Sequence, residues 1–229
     1  MRVFYVVYVG DEAIASHLDA IRLICNPDEK TSAHVTVRGP YRQRFKMPVL
    51  TREVTSEPVF VSGVGNFFEH RQNTVFLRCE SDALRRAWFK RDYPYNPHVT
   101  LYDGSSAAFA RNLYARIQGV KLSFCFEPTP LKALVSRRGQ RDAEVWMRLN
   151  YALVSQVAGY AVTAEAIRNM TEEERLKIAV RLAKHLSRIV SGRKCAWCRA
   201  TASREKDDVV AESSRRRSRQ LEPVAFEAT

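Results

Sequence analysis

Two short segments of the chain share a His-Val-Thr core. They read SAHVTVRGP (residues 32–40) and NPHVTLYDG (residues 96–104), each in apolar, β-branched surroundings. β-Branched residues favour strands, and the side chains of residues i and i+2 in a strand lie on the same face. Each segment therefore predicts a strand that presents an imidazole and a hydroxyl on one face and a packed valine on the other. A chain with two such strands must build a sheet around them.

Further β-rich runs alternate with helical patterns along the first 150 residues. The runs are RVFYVVYV, EPVFVSGVGNFF, NTVFLRCE, KLSFCFEP, LKALVSRR and EVWMRLN, with EHRQN as a hairpin turn. Short helices are predicted at DEAIASHLDAIRLIC, SDALRRAWFKRD and SSAAFARNLYARIQG, the last two beginning at a serine cap. The two His-Val-Thr strands occupy comparable places in two half-units. This order predicts an α+β fold with two sheet-bearing lobes and a cleft between them.

After about residue 150 the pattern becomes helical. TEEERLKIAVRLAKHLSRIVSGRK begins with Thr171 as a cap followed by three acids, which is typical of a helix start. An apolar stripe suited to docking is formed by Ile178, Leu182, Leu186 and Ile189. We predict three regions: a sheet-containing domain over 1–150, a helical extension over 151–194, and a polar, disordered basic tail over 195–229.

The composition is that of a folded, basic protein. The chain has 229 residues, of which 45% are hydrophobic, enough for a sizeable core. Its formal net charge of +12 favours a polyanionic partner, such as a nucleotide, RNA or another phosphate-rich ligand. Walker A, HExxH and Ser-His-Asp arrangements do not occur, so those enzyme classes have no support. No protein partner is evident, and the oligomeric state stays open.

The first residues and the cysteines bear on location. The apolar run in MRVFYVVYVGDEA ends at Asp11 and is too short for a signal peptide or a membrane span. Five cysteines are an odd number without a framework, so we expect no disulfide and a reducing cytosol. A lone CAWC at Cys195 to Cys198 has no second ligand pair, and we assign it neither zinc nor redox chemistry. The sequence thus predicts a cytoplasmic protein without a membrane partner.

The two predicted pairs are His34 with Thr36 and His98 with Thr100. Each imidazole can transfer a proton, and each hydroxyl can donate to a phosphate oxygen without adding negative charge. The plainer interpretation is a half-buried strand histidine satisfied by local hydrogen bonds, but it does not account for two copies. His185 has a serine two residues later within a helical pattern, where such residues do not share a face. We therefore interpret His185 as a solvated helix residue.

Three neighbouring residues are further candidates. Arg38 shares the face of His34 if the strand continues, and it can hold a phosphate oxygen. Tyr41 can cover the cleft and stack on a base. Tyr102 shares the face of His98 by the same alternation and can stack or donate, although packing explains it equally well.

The two motifs HVTV and HVTL resemble the paired H-x-[ST] signature of the 2H phosphoesterases, also known as the 2′-5′ RNA ligase-like or cyclic phosphodiesterase superfamily. The resemblance covers roughly residues 1–150, including the separation of the motifs and the order of the surrounding elements. It implies a bilobal α+β fold with two pseudo-symmetric antiparallel-sheet lobes around a water-filled central cleft. It also implies that His34 and His98 are catalytic and that Thr36 and Thr100 are their hydroxyl partners.

The activity implied by the resemblance is hydrolysis of a phosphodiester in RNA or a nucleotide, such as a 2′,3′-cyclic phosphate or a 2′-5′ linkage. The residues favour the same chemistry, because one imidazole can deprotonate water while the other protonates the leaving oxygen, each contributing about 10²–10⁴-fold without a metal or cofactor. Either histidine can be the acid. Two alternatives remain open: a non-catalytic RNA-binding protein, and a hydrolase of cyclic oligonucleotide messengers.

Overall fold

The computed structural model describes residues 2–28, 31–70, 72–89, 94–135 and 143–191. Within these ranges the strands are β1 (Val3–Tyr8), β2 (His34–Tyr41), β3 (Val59–Asn66), β4 (Thr74–Glu80), β5 (His98–Asp103), β6 (Phe124–Phe126) and β7 (Lys132–Val135). The α-helices are α1 (Glu12–Cys25), α2 (Pro48–Val54), α3 (Asp82–Ala87), α4 (Ala107–Ile117), α5 (Ala143–Ala158), α6 (Ala164–Asn169) and α7 (Glu172–Val190). The predicted α+β class is confirmed.

Helix starts follow the capping residues that the sequence indicates. Ser81 accepts from the third residue beyond it to begin α3, and Ser106 does the same for α4. Thr171 and Glu174 form a reciprocal capping box at the start of α7. The short helix α2 was not predicted, because its seven residues make only about two turns and offer little periodicity.

All described strands join one antiparallel sheet in the order β6-β3-β4-β5-β2-β1-β7. The expectation of separate sheets in two lobes is therefore replaced by a single sheet. The two His-Val-Thr strands, β2 and β5, are neighbours within it. The segment EVWMRLN lies in α5 rather than in an eighth strand, and from its last residue onward Asn150, Val154 and Ala158 are buried at the helical spacing of four.

The junction between β2 and β5 is the shortest ladder of the sheet. It has one registered pair, Val35 with Val99, whereas β4 and β5 share five pairs. Side chains of α1 bind backbone groups beside this junction: the guanidinium of Arg22 donates to the Thr100 carbonyl, and Asp19 accepts from the Ala33 amide. The helix thus satisfies strand ends that the short ladder leaves unpaired.

The helices and the sheet share one core. Val35 and Val99 are fully buried in the same apolar cluster as α1 residues such as Leu18 and α7 residues such as Leu182. The stretch 1–193 forms one compact unit, and the division of the chain at residue 150 stays a prediction. Of the predicted docking stripe, Ile178, Leu182 and Leu186 are buried and Ile189 is half-buried.

The cysteines differ from expectation. Cys25 and Cys79 are buried free thiols, and burial raises the pKa of each to about 12. Cys125 is disulfide-bonded, so the prediction of a chain without disulfides is wrong, and the cytosolic location that relied on it stays a prediction. The CAWC motif and the predicted tail over 195–229 lie outside the described residues.

Among the helices within the described ranges, none has the length and apolar character needed to cross a bilayer.

Candidate active site

The two predicted His-Thr pairs meet at the β2–β5 junction. In an antiparallel pair centred on the two motif valines, His34 lies opposite Thr100 and Thr36 lies opposite His98. Because the valines point into the core, these four side chains lie on the other face of the sheet, where all are partly exposed. We refer to the four residues as the His-Thr cluster.

The two imidazoles of the cluster are on the diagonal of the strand pair. Diagonal neighbours in an antiparallel pair have a backbone separation of roughly 7–8 Å. A catalytic group needs to be within about 2.6–3.2 Å of the atom with which it exchanges a proton. The spacing of His34 and His98 therefore suits a phosphate group placed between their rings.

Both histidines are oriented by the same local hydrogen bond. Nδ1 of His34 lies 2.7 Å from the carbonyl oxygen of Ser32, and Nδ1 of His98 lies 2.8 Å from the carbonyl oxygen of Asn96. A carbonyl oxygen only accepts, so Nδ1 carries the hydrogen in each ring. Nε2 is then the nitrogen at which each ring takes up or releases a proton.

The register of β1 and β2 shifts directly after Thr36. Tyr5 pairs with Arg38, although the residue after Tyr5 pairs with Thr36, so β2 has a bulged residue at this point. Burial nevertheless alternates through Arg38, because Val37 is fully buried in the same core cluster as Val35 and Arg38 is half-buried. Nε of Arg38 donates to the carbonyl of Ala87 at 2.8 Å, and its guanidinium carbon lies 5.7 Å from the Phe89 ring centroid. Arg38 therefore binds the end of α3, and a phosphate contact by Arg38 stays a prediction.

A matching shift follows Thr100 in β5. Val75 pairs with Tyr102, although its neighbour Phe76 pairs with Thr100. Tyr102 consequently turns into the core, where it is 5% exposed and its ring centroid lies 4.9 Å from that of Phe109. Burial raises the pKa of Tyr102. Of the two explanations considered for Tyr102, its burial favours packing over base stacking, because a bulge reverses the strand alternation beyond Thr100.

Tyr41 lies at the far end of β2. Its partner on β1 is Val3, five residues from the partner of His34, which corresponds to about 16 Å along the strand. Its ring contacts Tyr5 and Phe45 edge-on, with centroid distances of 5.8 and 5.6 Å. The structure does not bring Tyr41 next to the histidines.

On the β1 side, the cluster is bordered by Tyr8 and Lys132. Tyr8 is the registered partner of His34, and the two ring centroids are 5.9 Å apart at an interplanar angle of 67°. Burial, with a further contribution from the Asp19 carboxylate, raises the pKa of Tyr8, so its hydroxyl stays protonated at neutral pH and can donate. Nζ of Lys132 lies 5.7 Å from the Tyr8 ring centroid, which adds a cation to this side.

On the β4 side, the border is aromatic and cationic. The ring centroids of Phe67 and Phe76 lie 5.2 and 5.0 Å from that of His98. Arg78 is the registered partner of His98 and is exposed. A Cβ on Gly65 would meet the Phe76 ring at 2.5 Å and Nε of Arg78 at 3.1 Å, so this glycine makes room for both side chains.

These bordering residues were not predicted from the sequence. Alternation within RVFYVVYV and NTVFLRCE shows which residues share a face of one strand. It does not show which strand lies beside the motifs, and only that pairing places Tyr8 and Arg78 next to the histidines. The placement of Lys132 and Phe67 beside the histidines depends in addition on where β7 begins and where β3 ends, which the sequence does not indicate.

Two further histidines are paired elsewhere in the molecule. Nε2 of His17 lies 2.8 Å from Nδ1 of His185, which is half-buried. The interpretation of His185 as a solvated residue is therefore wrong, because α7 packs its histidine against α1.

In the described part of the chain, no group of three or more His, Cys, Asp or Glu side chains is arranged to hold a metal ion.

No protein-family model matches the chain, and no curated protein matches it. The resemblance to the 2H phosphoesterases therefore stays a prediction from the sequence.

Proposed function

We propose that the protein is a metal-independent phosphodiesterase that hydrolyses 2′,3′-cyclic phosphates or 2′-5′-linked nucleotide or RNA substrates by two-histidine acid/base catalysis. The observation that carries the proposal is the registered pair of motif valines, around which two imidazoles with matching Nδ1 hydrogen bonds and two hydroxyls lie on one sheet face. A structural role for the motifs would need one hydrogen-bonded histidine in each strand. It would not need both histidines to make the same Nδ1 hydrogen bond on neighbouring strands.

The proposed reaction uses Nε2 of both histidines. Nε2 of the neutral ring takes a proton from water as the water oxygen forms a bond to phosphorus. Nε2 of the protonated ring donates its proton to the ribose oxygen as the bond from that oxygen to phosphorus breaks. A cyclic phosphate is thereby opened to a phosphomonoester with one free ribose hydroxyl, and His34 and His98 end with exchanged protonation states.

The hydroxyls of Thr36 and Thr100 would donate to the non-bridging phosphate oxygens. These hydrogen bonds stabilise the negative charge that develops on the phosphate oxygens during attack, and each hydroxyl keeps its proton. Lys132 on one side and Arg78 on the other add positive charge close to the same face. In this proposal the sheet works as two halves, β1-β2-β7 and β3-β4-β5-β6, with the substrate cleft over the short β2–β5 ladder.

A non-catalytic RNA-binding role is the second candidate, and the net charge of +12 favours it. Binding alone gives no reason for the matched Nδ1 hydrogen bonds. It also gives none for the placement of each threonine opposite the other motif's histidine. We therefore rank it second.

The test is turnover of a panel by the full chain. The panel contains nucleoside 2′,3′-cyclic phosphates, a 2′-5′ dinucleotide, a 3′-5′ dinucleotide and cyclic dinucleotides, each with and without EDTA. We expect hydrolysis of one of the first two, unaffected by EDTA, with a bell-shaped pH dependence of kcat/KM because one imidazole must be neutral and the other protonated. Binding of RNA without turnover of any substrate would favour the second candidate. Selective hydrolysis of cyclic dinucleotides would assign the same chemistry to the messenger class.

A further inference from the structure

A concave surface lies between α5 and α7, away from the His-Thr cluster. Its cavity volume is about 290 Å³, and it is lined by Gln156, Val157, Arg181, Lys184, His185 and Arg188. None of these residues belongs to the candidate active site. We refer to this concavity as the α5–α7 cavity.

The charge on its α7 wall has one sign. After Glu174, the helix carries five Lys or Arg residues and one histidine up to Val190, with no acid. Acids at the start and cations at the end of a helix complement its dipole, which explains part of this distribution. That explanation does not require the cations to line a concavity. In the ranges that the structure describes, no ion pair neutralises Arg181, Lys184 or Arg188, while Lys177 on the same helix approaches Glu173.

The histidine of the cavity is held by a chain of hydrogen bonds from α1. Nδ1 of His17 donates to the carbonyl of Ala13 at 2.6 Å. Burial lowers the pKa of His17, so its Nε2 lacks a proton at neutral pH and accepts from Nδ1–H of His185 at 2.8 Å. The ring of His185 is thus fixed with Nε2 as its second polar atom. A ring held in one orientation loses less entropy when it binds a ligand.

We infer that the α5–α7 cavity binds the phosphate group of a small, multiply charged ligand, of the phosphomonoester or pyrophosphate class. Three cations and an imidazole with a fixed orientation converge on one concavity, which is the arrangement that a compact phosphate needs. The amide of Gln156 supplies a neutral polar group on the opposite wall. A volume near the lower end of known ligand pockets suits a small molecule better than a polymer. The inference does not depend on the proposed catalytic function.

The test follows the imidazole signals of histidine-labelled full-length protein by NMR during titration with inorganic pyrophosphate at constant ionic strength. The signal of His185 is assigned from its loss in His185→Gln. We expect this signal to shift and saturate. In the double variant Arg181→Gln, Arg188→Gln, about tenfold more pyrophosphate should be needed for half-saturation, since two charge-assisted contacts are lost.

The matched control is Lys121→Gln, Lys177→Gln, which removes the same charge outside the cavity; half-saturation should stay within about twofold of the parent. The altered arginines in the test variant are exposed, so folding should be retained, and unchanged signals of the other histidines check this. A shift that rises linearly without saturation would overturn the inference. So would equal weakening in both double variants, or a response of His185 to an RNA oligonucleotide but not to pyrophosphate.

Discussion

The half of the sheet that carries His34 and the half that carries His98 are alike in backbone and unlike in surroundings. Each histidine bonds through Nδ1 to the carbonyl two residues before it, and each strand has a register shift directly after its threonine. Around the first histidine lies a tyrosine whose hydroxyl stays protonated, with Lys132 nearby. Around the second lie the rings of Phe67 and Phe76.

This difference separates two tasks. The features that the halves share orient the imidazoles and hydroxyls, which is what proton transfer at a single phosphorus requires. The features that differ lie on the two sides of that point. Tyr8 and Lys132 form a polar wall on the His34 side, and Phe67 and Phe76 form an aromatic wall on the His98 side. A substrate with a phosphate at its centre and different groups on its two sides fits such a surface. The predictions below test first the shared features and then the differing ones.

The largest effect is expected for the histidines. His34→Ala and His98→Ala should each lower kcat by about 10²–10⁴-fold, because each removes one proton-transfer group. The double variant should lose less than the product of the two effects, since the groups act together. Steady-state kinetics on the best substrate of the panel measures this, with thermal melting to confirm folding. Full activity of either single variant would contradict the prediction that both histidines transfer protons.

The threonines should give a smaller and similar pair of effects. Thr36→Val and Thr100→Val each remove one donor to a phosphate oxygen, at a cost of about 1–3 kcal/mol, or roughly 5- to 150-fold in kcat/KM. The control is Thr55→Val, at the exposed end of α2, where the hydroxyl bonds only to backbone carbonyls of its own helix. A loss confined to one of the two motif threonines would contradict a symmetric role.

The sequence predicted the common face of each His-Thr pair, but not the Nδ1 hydrogen bonds, the register shifts or the residues that surround the pairs. Alternation in a strand is local, so the common face of His34 and Thr36 could be derived from two residues. The same rule failed at Tyr102, because a bulge after Thr100 reverses the alternation and turns the ring into the core. Arg38 also follows a register shift, and although burial alternates through it, its Nε donates to the carbonyl of Ala87. A bulge depends on how two strands are paired, which a single strand's sequence does not contain.

Long-range packing accounts for the other differences. The segment EVWMRLN was predicted as a strand, but most of its residues favour helices, and it extends α5, whose later turns pack into the core. His185 was interpreted as solvated because its own helix pattern does not show that α1 places His17 within hydrogen-bond distance. The neighbours of the cluster, such as Arg78, required the strand order for the same reason.

The third prediction compares the cations on the two walls. Arg78→Gln and Lys132→Gln should each raise KM by about five- to tenfold with a smaller change in kcat, because each cation is expected to bind substrate charge rather than to transfer a proton. Initial-rate kinetics at low and high salt measures this, and the effects should shrink at high salt. Lys121→Gln, at an exposed position outside the cluster, is the control. An effect of Arg78→Gln on kcat alone would assign Arg78 to the chemical step instead.

The smallest effect is expected from a single methyl group under the aromatic wall. In Gly65→Ala the added Cβ would meet the Phe76 ring at 2.5 Å, so the ring must move, and with it the surface that contacts His98. We expect kcat to fall about threefold, because a small misplacement of a catalytic group slows the reaction. The matched control is Gly119→Ala, where an added Cβ has no atom within 4 Å. The Phe76 ring contacts His98, so the Nδ1 and Nε2 signals of His98 in an NMR spectrum should shift while those of His34 stay in place. Equal shifts in both rings would mean that the aromatic wall supports the whole cluster rather than one half of it.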